Sequence, residues 1–88
     1  MSRLRVSVKL SDIDRGKPTF PTECALALAL YRTTGSRPCS VGRQFAQILE
    51  DDGNVTVWEL SRRAQEFIRA FDDMRSVYAS TFILRRVE

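Results

Sequence analysis

The chain of 88 residues is 43% hydrophobic and 28% charged, a composition typical of one ordinary globular domain and unlike that of disordered or fibrous proteins. It has no histidine and only two cysteines, too few for a disulfide framework or for a zinc site of the usual Cys/His type. The net charge is +3, and no apolar run approaches the roughly 20 residues that a membrane-spanning helix needs.

The first predicted strand covers Leu4 to Leu10, where apolar residues alternate with arginine, serine and lysine. This period of two is typical of a strand with one buried face and one solvent-exposed face. Ser11 to Phe20 is predicted to be irregular chain or a single helical turn, because Gly16 and Pro18 interrupt any longer element.

A helix is predicted next, with Pro21 suited to its first turn. Residues 22–32 are mostly strong helix formers, and Gly35 and Pro38 mark the stop. Because this segment has almost no polar face, we expect it to be the most buried helix of the domain.

Two further strands, Val41 to Leu49 and Val55 to Leu60, flank an Asp-Gly-Asn sequence and are predicted to form a hairpin. The positive φ angles of the turn are assigned to Gly53 and Asn54.

A second helix is predicted to begin at Ser61, a good N-cap residue. Its apolar residues recur at the spacing of one helical stripe and are Ala64, Phe67, Ile68 and Phe71. The chain then returns as a last strand, Val77 to Val87, in which Phe82 and Leu84 point toward the core if Ile83 and Arg85 point out.

The resulting β-α-β-β-α-β order predicts a single α+β domain over residues 1–88, with an antiparallel sheet and two helices on one face. The order resembles a split βαβ unit of the ferredoxin-like kind. In that arrangement the first and third strands are central neighbours, and the second face of the sheet is left open.

The open face is the predicted partner-binding surface, and its candidate residues are Arg3, Arg5, Lys9, Trp58 and Arg85. Trp58 belongs to this set only if Val55 and Val57 point toward the helices. A tryptophan among arginines would suit either a stacked base or a protein partner. The alternative is that Trp58 lies in the core and that the arginines keep an open sheet soluble. Their abundance, twelve of fourteen cations, also fits a GC-rich genome.

No catalytic, cofactor-binding or metal-binding residues are predicted. Asp12, Asp14 and Glu23 superficially resemble a calcium loop, but Lys17 occupies the position where the loop turn requires glycine. A hydrolytic triad without histidine would need a lysine base in an apolar context, which neither lysine has. Cys24 and Cys39 are expected to be free thiols, with a disulfide as the alternative.

Several segments together resemble a group of small accessory proteins encoded by bacteriophages and prophages. These segments are Asp12-Ile13 with Gly16, Cys24-x-x-Ala27-x-Ala29-Leu30, Ala64-Gln-Glu-Phe-Ile-x-x-Phe71-Asp72 and Phe82-Ile83-Leu84. The group commonly has proline after the cysteine, where this chain has Ala25. The resemblance implies a mobile-element accessory gene, a class that includes anti-CRISPR proteins and other stoichiometric inhibitors of host defence.

We therefore expect a non-enzymatic protein that binds and inhibits a host protein by covering its surface. The alternatives are a small nucleic-acid-binding module that uses the basic sheet face and a structural homodimer. Because the N-terminal residues lack the features of a secretory signal, we expect the protein in the cytoplasm of a bacterial host cell, without a membrane partner.

Overall fold

A computed structural model describes residues 2–87 of the chain, and in it five strands and three helices follow one another along the sequence. The strands are β1 (Arg3–Val8), β2 (Cys39–Val41), β3 (Phe45–Leu49), β4 (Val55–Glu59) and β5 (Ser80–Val87). The helices are α1 (Leu10–Arg15), α2 (Ala25–Thr33) and α3 (Arg62–Asp72). The α+β class and the antiparallel sheet predicted from the sequence are confirmed.

The strand order is β1-β5-β4-β3-β2, so β5 lies between β1 and β4. The expectation that the first strand and the Val55 strand are neighbours is therefore wrong. The long last strand pairs on both of its sides: six residues of β1 oppose it on one side, and three residues of β4 oppose it on the other. Insertion of β5 makes every pairing antiparallel, whereas a split βαβ unit needs a parallel central pair.

The predicted strand Val41 to Leu49 is divided into β2 and β3. Gly42 donates its backbone N–H to the carbonyl of Phe45 at 2.8 Å, which closes a tight hairpin where the sequence predicted continuous extended chain. In the next turn Gly53 has the expected positive φ of +87°, but Asn54 is not among the residues with positive φ, contrary to the prediction.

The helices follow the sequence pattern with shifted boundaries. Residues 10–15 form the single short helix that was one of the two alternatives for that segment. Turns occupy residues 18–19 and 21–23, so α2 begins at Ala25 rather than at Pro21. Ser61 caps α3 as predicted, because its hydroxyl accepts the N–H of Ala64.

The core lies between the helices and one face of the sheet, which we call the inner face. Leu26 and Leu30 of α2 and Leu84 of β5 are fully buried there. From α3, the ring of Phe67 meets the ring of Phe82 edge-on, with centroids 5.2 Å apart.

Gly16 allows the segment after α1 to approach α2 and α3 closely. A Cβ at this position would lie 2.7 Å from the backbone nitrogen of Ala25 and 2.9 Å from Cζ of Phe71. Glycine is therefore required for packing at this point, since its φ of −69° is available to any residue.

In the described part of the chain, every helix is too short or too polar to cross a membrane.

Candidate functional site

The sheet face opposite the helices is uncovered by any part of residues 2–87, and we call it the open face. Strand pairing places two sets of side chains on it. The apolar set is exposed or half-buried and consists of Phe45, Leu49, Val55, Val57, Ile83 and Val87. The polar set consists of Arg3, Arg5, Ser7, Ser40, Gln47, Glu59, Thr81 and Arg85.

The open face is divided into a cationic half and an apolar half. Arg3 on β1 is paired with Arg85 on β5, which is paired with Glu59 on β4. Nη2 of Arg85 lies 3.0 Å from Oε1 of Glu59, so this exposed arginine is partly neutralised. The arginines therefore occupy the β1 and β5 side, whereas most of the apolar set lies on β3 and β4.

Arg3 and Arg5 form the unneutralised part of the cationic half. They are two residues apart on one strand face, a separation of about 6.7 Å along the strand. Both are exposed, and no carboxylate within residues 2–87 comes within 4.0 Å of either guanidinium. The structure thus brings together three of the five predicted site residues, Arg3, Arg5 and Arg85.

Lys9 lies beyond the strand pairing that defines the open face, so its place on that face stays a prediction. It follows the last residue of β1 and immediately precedes α1, where its backbone N–H donates to Oδ2 of Asp12 at 2.8 Å. The strand ends two residues earlier than the alternating pattern indicates, because the chain enters a helix at Leu10. Beyond the end of the strand, the alternation of side chains no longer specifies the face on which the Lys9 side chain lies.

Trp58 lies on the inner face and is only 9% exposed, so the prediction that places it beside the arginines is wrong. Its Nε1 donates to Oγ1 of Thr56 at 2.9 Å. Thr56, Trp58 and Leu60 share one side of the strand and are all buried, while Val55 is turned outward. Leu60 has the same parity as Trp58, but its burial follows from the fold, and the sequence pattern gives no signal that decides which side of β4 is inside.

A hydrogen-bonded chain holds the indole in place. The hydroxyl of Thr56 lies 2.6 Å from Oε2 of Glu50, whose Oε1 accepts from Nη1 of Arg37 at 2.7 Å. No buried side-chain nitrogen or oxygen in the described residues lacks a hydrogen-bond partner. The network therefore has the properties of a structural element of the core.

The two cysteines are free and buried, as expected for thiols that form no disulfide. Burial raises the pKa of Cys24, even though backbone N–H groups of α2 oppose the shift. Burial also raises the pKa of Cys39. Both groups are therefore held as thiols, which are weaker nucleophiles than thiolates.

A cleft of about 330 Å³ lies between the start of α2, the β2–β3 turn and the end of α3. Arg43 faces Asp72 and Asp73 across it, so its charges are mixed. Oδ1 of Asp72 already accepts the backbone N–H of Thr19 at 2.8 Å. Across residues 2–87, no three cysteine, aspartate or glutamate side chains are grouped closely enough to hold a metal ion.

Comparisons of the chain with protein-family models, with curated proteins and with solved structures give no match. The open face is therefore the basis for a functional proposal.

Proposed function

We propose that the protein is a binding module that acts without turnover by covering a surface of a host protein with its open face. In the setting implied by the resemblance to phage accessory proteins, the bound protein is a component of host defence, and the module is an inhibitor of the anti-CRISPR kind. Inhibition then requires an equimolar complex and no chemical step.

The observation that carries this proposal is the apolar set on the open face. Phe45 and Leu49 are each 42% exposed, and Val55 is 55% exposed, although strand positions with such residues are normally covered. Val57 and Val87 are paired across β4 and β5 and connect these residues with the rest of the face. Exposed apolar side chains grouped on one sheet face in this way typically mark a protein interaction site.

The neighbouring arginines support the same proposal. Protein interfaces have an apolar centre with a polar rim, and arginine is enriched among the residues that contribute most binding energy. Here Arg3, Arg5 and Arg85 lie along one side of the apolar set. A standard interface takes about 800 Å² from each partner, an area that one face of a small domain can supply.

The test is affinity capture from a bacterial lysate with three forms of the protein. The wild type should retain one host protein in equimolar amount, and Val55→Glu should lose it because a buried carboxylate would lack a partner. Tyr78→Glu is the matched control, since Tyr78 is 79% exposed and lies outside the sheet. Equal capture by all three forms would contradict the proposed role of the open face.

Nucleic acid is the second candidate partner, favoured by the unneutralised pair Arg3 and Arg5. If those two and Arg85 each met a phosphate of a duplex, log affinity should fall with log salt at a slope of about −2.7. The burial of Trp58 removes the stacking platform from the face, and Glu59 opposes Arg85. Nuclease-sensitive recovery of many proteins in the capture experiment would favour this alternative.

Self-association through the open face is the third candidate, since two copies could cover each other's apolar sets. Light scattering on the purified protein distinguishes a dimer from a monomer and so tests this candidate. A dimer that Val55→Glu converts to a monomer would replace the host-protein proposal, because the same face cannot serve both roles at once.

A further inference from the structure

The free edge of β1 is the most informative feature that the proposed function does not use. The N–H of Arg86 on β5 donates to the carbonyl of Ser2 at 3.0 Å. In an antiparallel pair, a residue that bonds its neighbour directs both of its backbone groups toward it, and such residues alternate along the strand. Even-numbered residues of β1 therefore bond β5, and odd-numbered residues direct their N–H and C=O groups away from the sheet.

Contacts at Ser7 confirm this alternation and limit the length of the free edge. Nη2 of Arg32 donates to the carbonyl of Ser7 at 2.7 Å, which caps the edge at its C-terminal end. The hydroxyls of Ser7 and Thr81 lie 3.1 Å apart, as expected for a pair that exchanges no backbone bonds and brings its side chains close. Arg3 and Arg5 remain, and within residues 2–87 no hydrogen bond reaches their outward backbone groups.

The opposite edge of the sheet is closed at the corresponding place. Val41 of β2 donates its N–H to the carbonyl of Pro21 at 2.9 Å, so the segment before α2 covers that edge. The sheet therefore offers a template for strand addition at β1, over Arg3 to Arg5.

Charge decides which occupant fits this template. If a second copy of β1 paired antiparallel with the first across this edge, Arg3 would face Arg5 of the other copy. Two guanidinium groups from each copy would then share one sheet face, which is unfavourable for like charges directly opposite one another. A strand with carboxylates at alternate positions would instead place an acidic side chain beside each arginine.

We propose that the β1 edge at Arg3 and Arg5 accepts an extended acidic segment of the partner protein as an additional strand. Its backbone pairs with the two arginines, and its carboxylates at positions i and i+2 lie over the guanidinium groups on the open face. This inference rests on the proposed function, since it names the part of the host protein that the module recognises.

The direct test uses a synthetic peptide with alternating glutamate and valine, acetylated and amidated at its ends, titrated into the isotope-labelled protein. Hydrogen exchange of the Arg3 and Arg5 amides should slow on binding, while the Leu4 amide, already directed toward β5, should be unaffected. A second peptide with the ladder-forming amides N-methylated keeps its charge and should bind about 5-fold more weakly or worse. A peptide with lysine in place of glutamate should not bind.

Two variants at position 5 distinguish the contribution of the backbone N–H from that of the guanidinium charge. Arg5→Thr removes the guanidinium and keeps the edge N–H, whereas Arg5→Pro removes both. The proline is compatible with the fold because an edge N–H that points outward makes no ladder bond. Arg5→Pro should therefore bind the glutamate peptide several-fold more weakly than Arg5→Thr does.

Equal binding of the methylated and unmethylated peptides to the wild type would overturn strand addition, and this result does not depend on whether either variant folds. Unchanged exchange of the Arg3 and Arg5 amides at saturating peptide would overturn it as well. Either outcome is separate from the capture experiment: if Val55→Glu still abolishes capture, the open face remains the binding surface and only the edge assignment fails.

Discussion

The two faces of the sheet are made by the same strands and differ in how completely their side chains are partnered. On the inner face, Leu84 and Ile48 are covered by helices, and the polar atoms of Thr56 and Trp58 are hydrogen-bonded. On the open face, valines and arginines of the same strands face outward without such cover. The packing that stabilises the domain therefore lies on the inner face, and the side chains of the open face are free of it.

The largest expected difference between the faces is in the free energy of unfolding that is lost when each of two adjacent residues of β5 is replaced. Leu84 is fully buried and Ile83 is 42% exposed. Leu84→Ala should lower the free energy of unfolding by about 2–5 kcal/mol, because it removes buried methyl groups and leaves a cavity. Ile83→Ala should cost less than about 1 kcal/mol, since little packing is lost. Urea denaturation followed by Trp58 fluorescence measures both, and equal costs would mean that the open face is also covered.

The contrast between Leu84 and Ile83 could be stated only as a condition, because Phe82, Ile83 and Leu84 are all apolar and the sequence assigns Leu84 to the core only if Ile83 and Arg85 point out. The stripe of α3 was predictable because its apolar residues recur with the helical period, with Ser61 marking its start. The facing of strand β4 was not predictable, since Val55 and Val57 on one side are about as apolar as Thr56 and Trp58 on the other. The period of two is present, but hydrophobicity alone does not say which side is inside.

The strand order could not be predicted from the sequence pattern either. Alternation specifies which residues of a strand are buried, but not which strand lies beside it. The edge position of β1, and hence the free backbone of Arg3 and Arg5, depends on the insertion of β5 between β1 and β4. Arg3, Arg5 and Arg85 were found because their parity was correct, whereas Val55 and Val57 of the apolar set were missed because the predicted site placed Trp58 on the open face.

A smaller difference is expected between the stability losses caused by breaking an ion pair on each side of the sheet. Asp12 is buried, with its Oδ1 lying 2.6 Å from Nη1 of Arg32 and its Oδ2 accepting the Lys9 N–H. Asp12→Ala should destabilise the protein by about 1–3 kcal/mol, because it removes charged hydrogen bonds that connect β1, α1 and α2. Arg32 is 40% solvent-exposed, which limits the cost of leaving it unpaired.

The matched substitution on the open face is Glu59→Ala, which breaks the exposed contact with Arg85. It should change the free energy of unfolding by less than about 1 kcal/mol. Thermal and urea unfolding of both variants would check this comparison. A cost for Glu59→Ala as large as that of Asp12→Ala would show that the open-face pair is shielded from solvent.

The smallest expected effect is the pH dependence contributed by the thiols on the helix-covered side. Burial raises the pKa of Cys24 and Cys39 above the ordinary value of 9.0. The folded state therefore holds these protons more tightly than the unfolded chain does. Their contribution to stability is complete below about pH 9 and is lost as pH rises through the raised pKa values.

Urea unfolding at about pH 8 and about pH 10 measures this loss. The variant with Cys24→Ala and Cys39→Ala should lose less stability between the two pH values than the wild type, whatever its absolute stability. Arg5→Thr, on the open face, should show the wild-type dependence, because arginine stays charged over this range. The free energy of unfolding of the alanine variant could instead decline with pH as steeply as that of the wild type. The buried thiols would then ionise in the folded state as readily as in the unfolded chain, and their burial would have no electrostatic consequence.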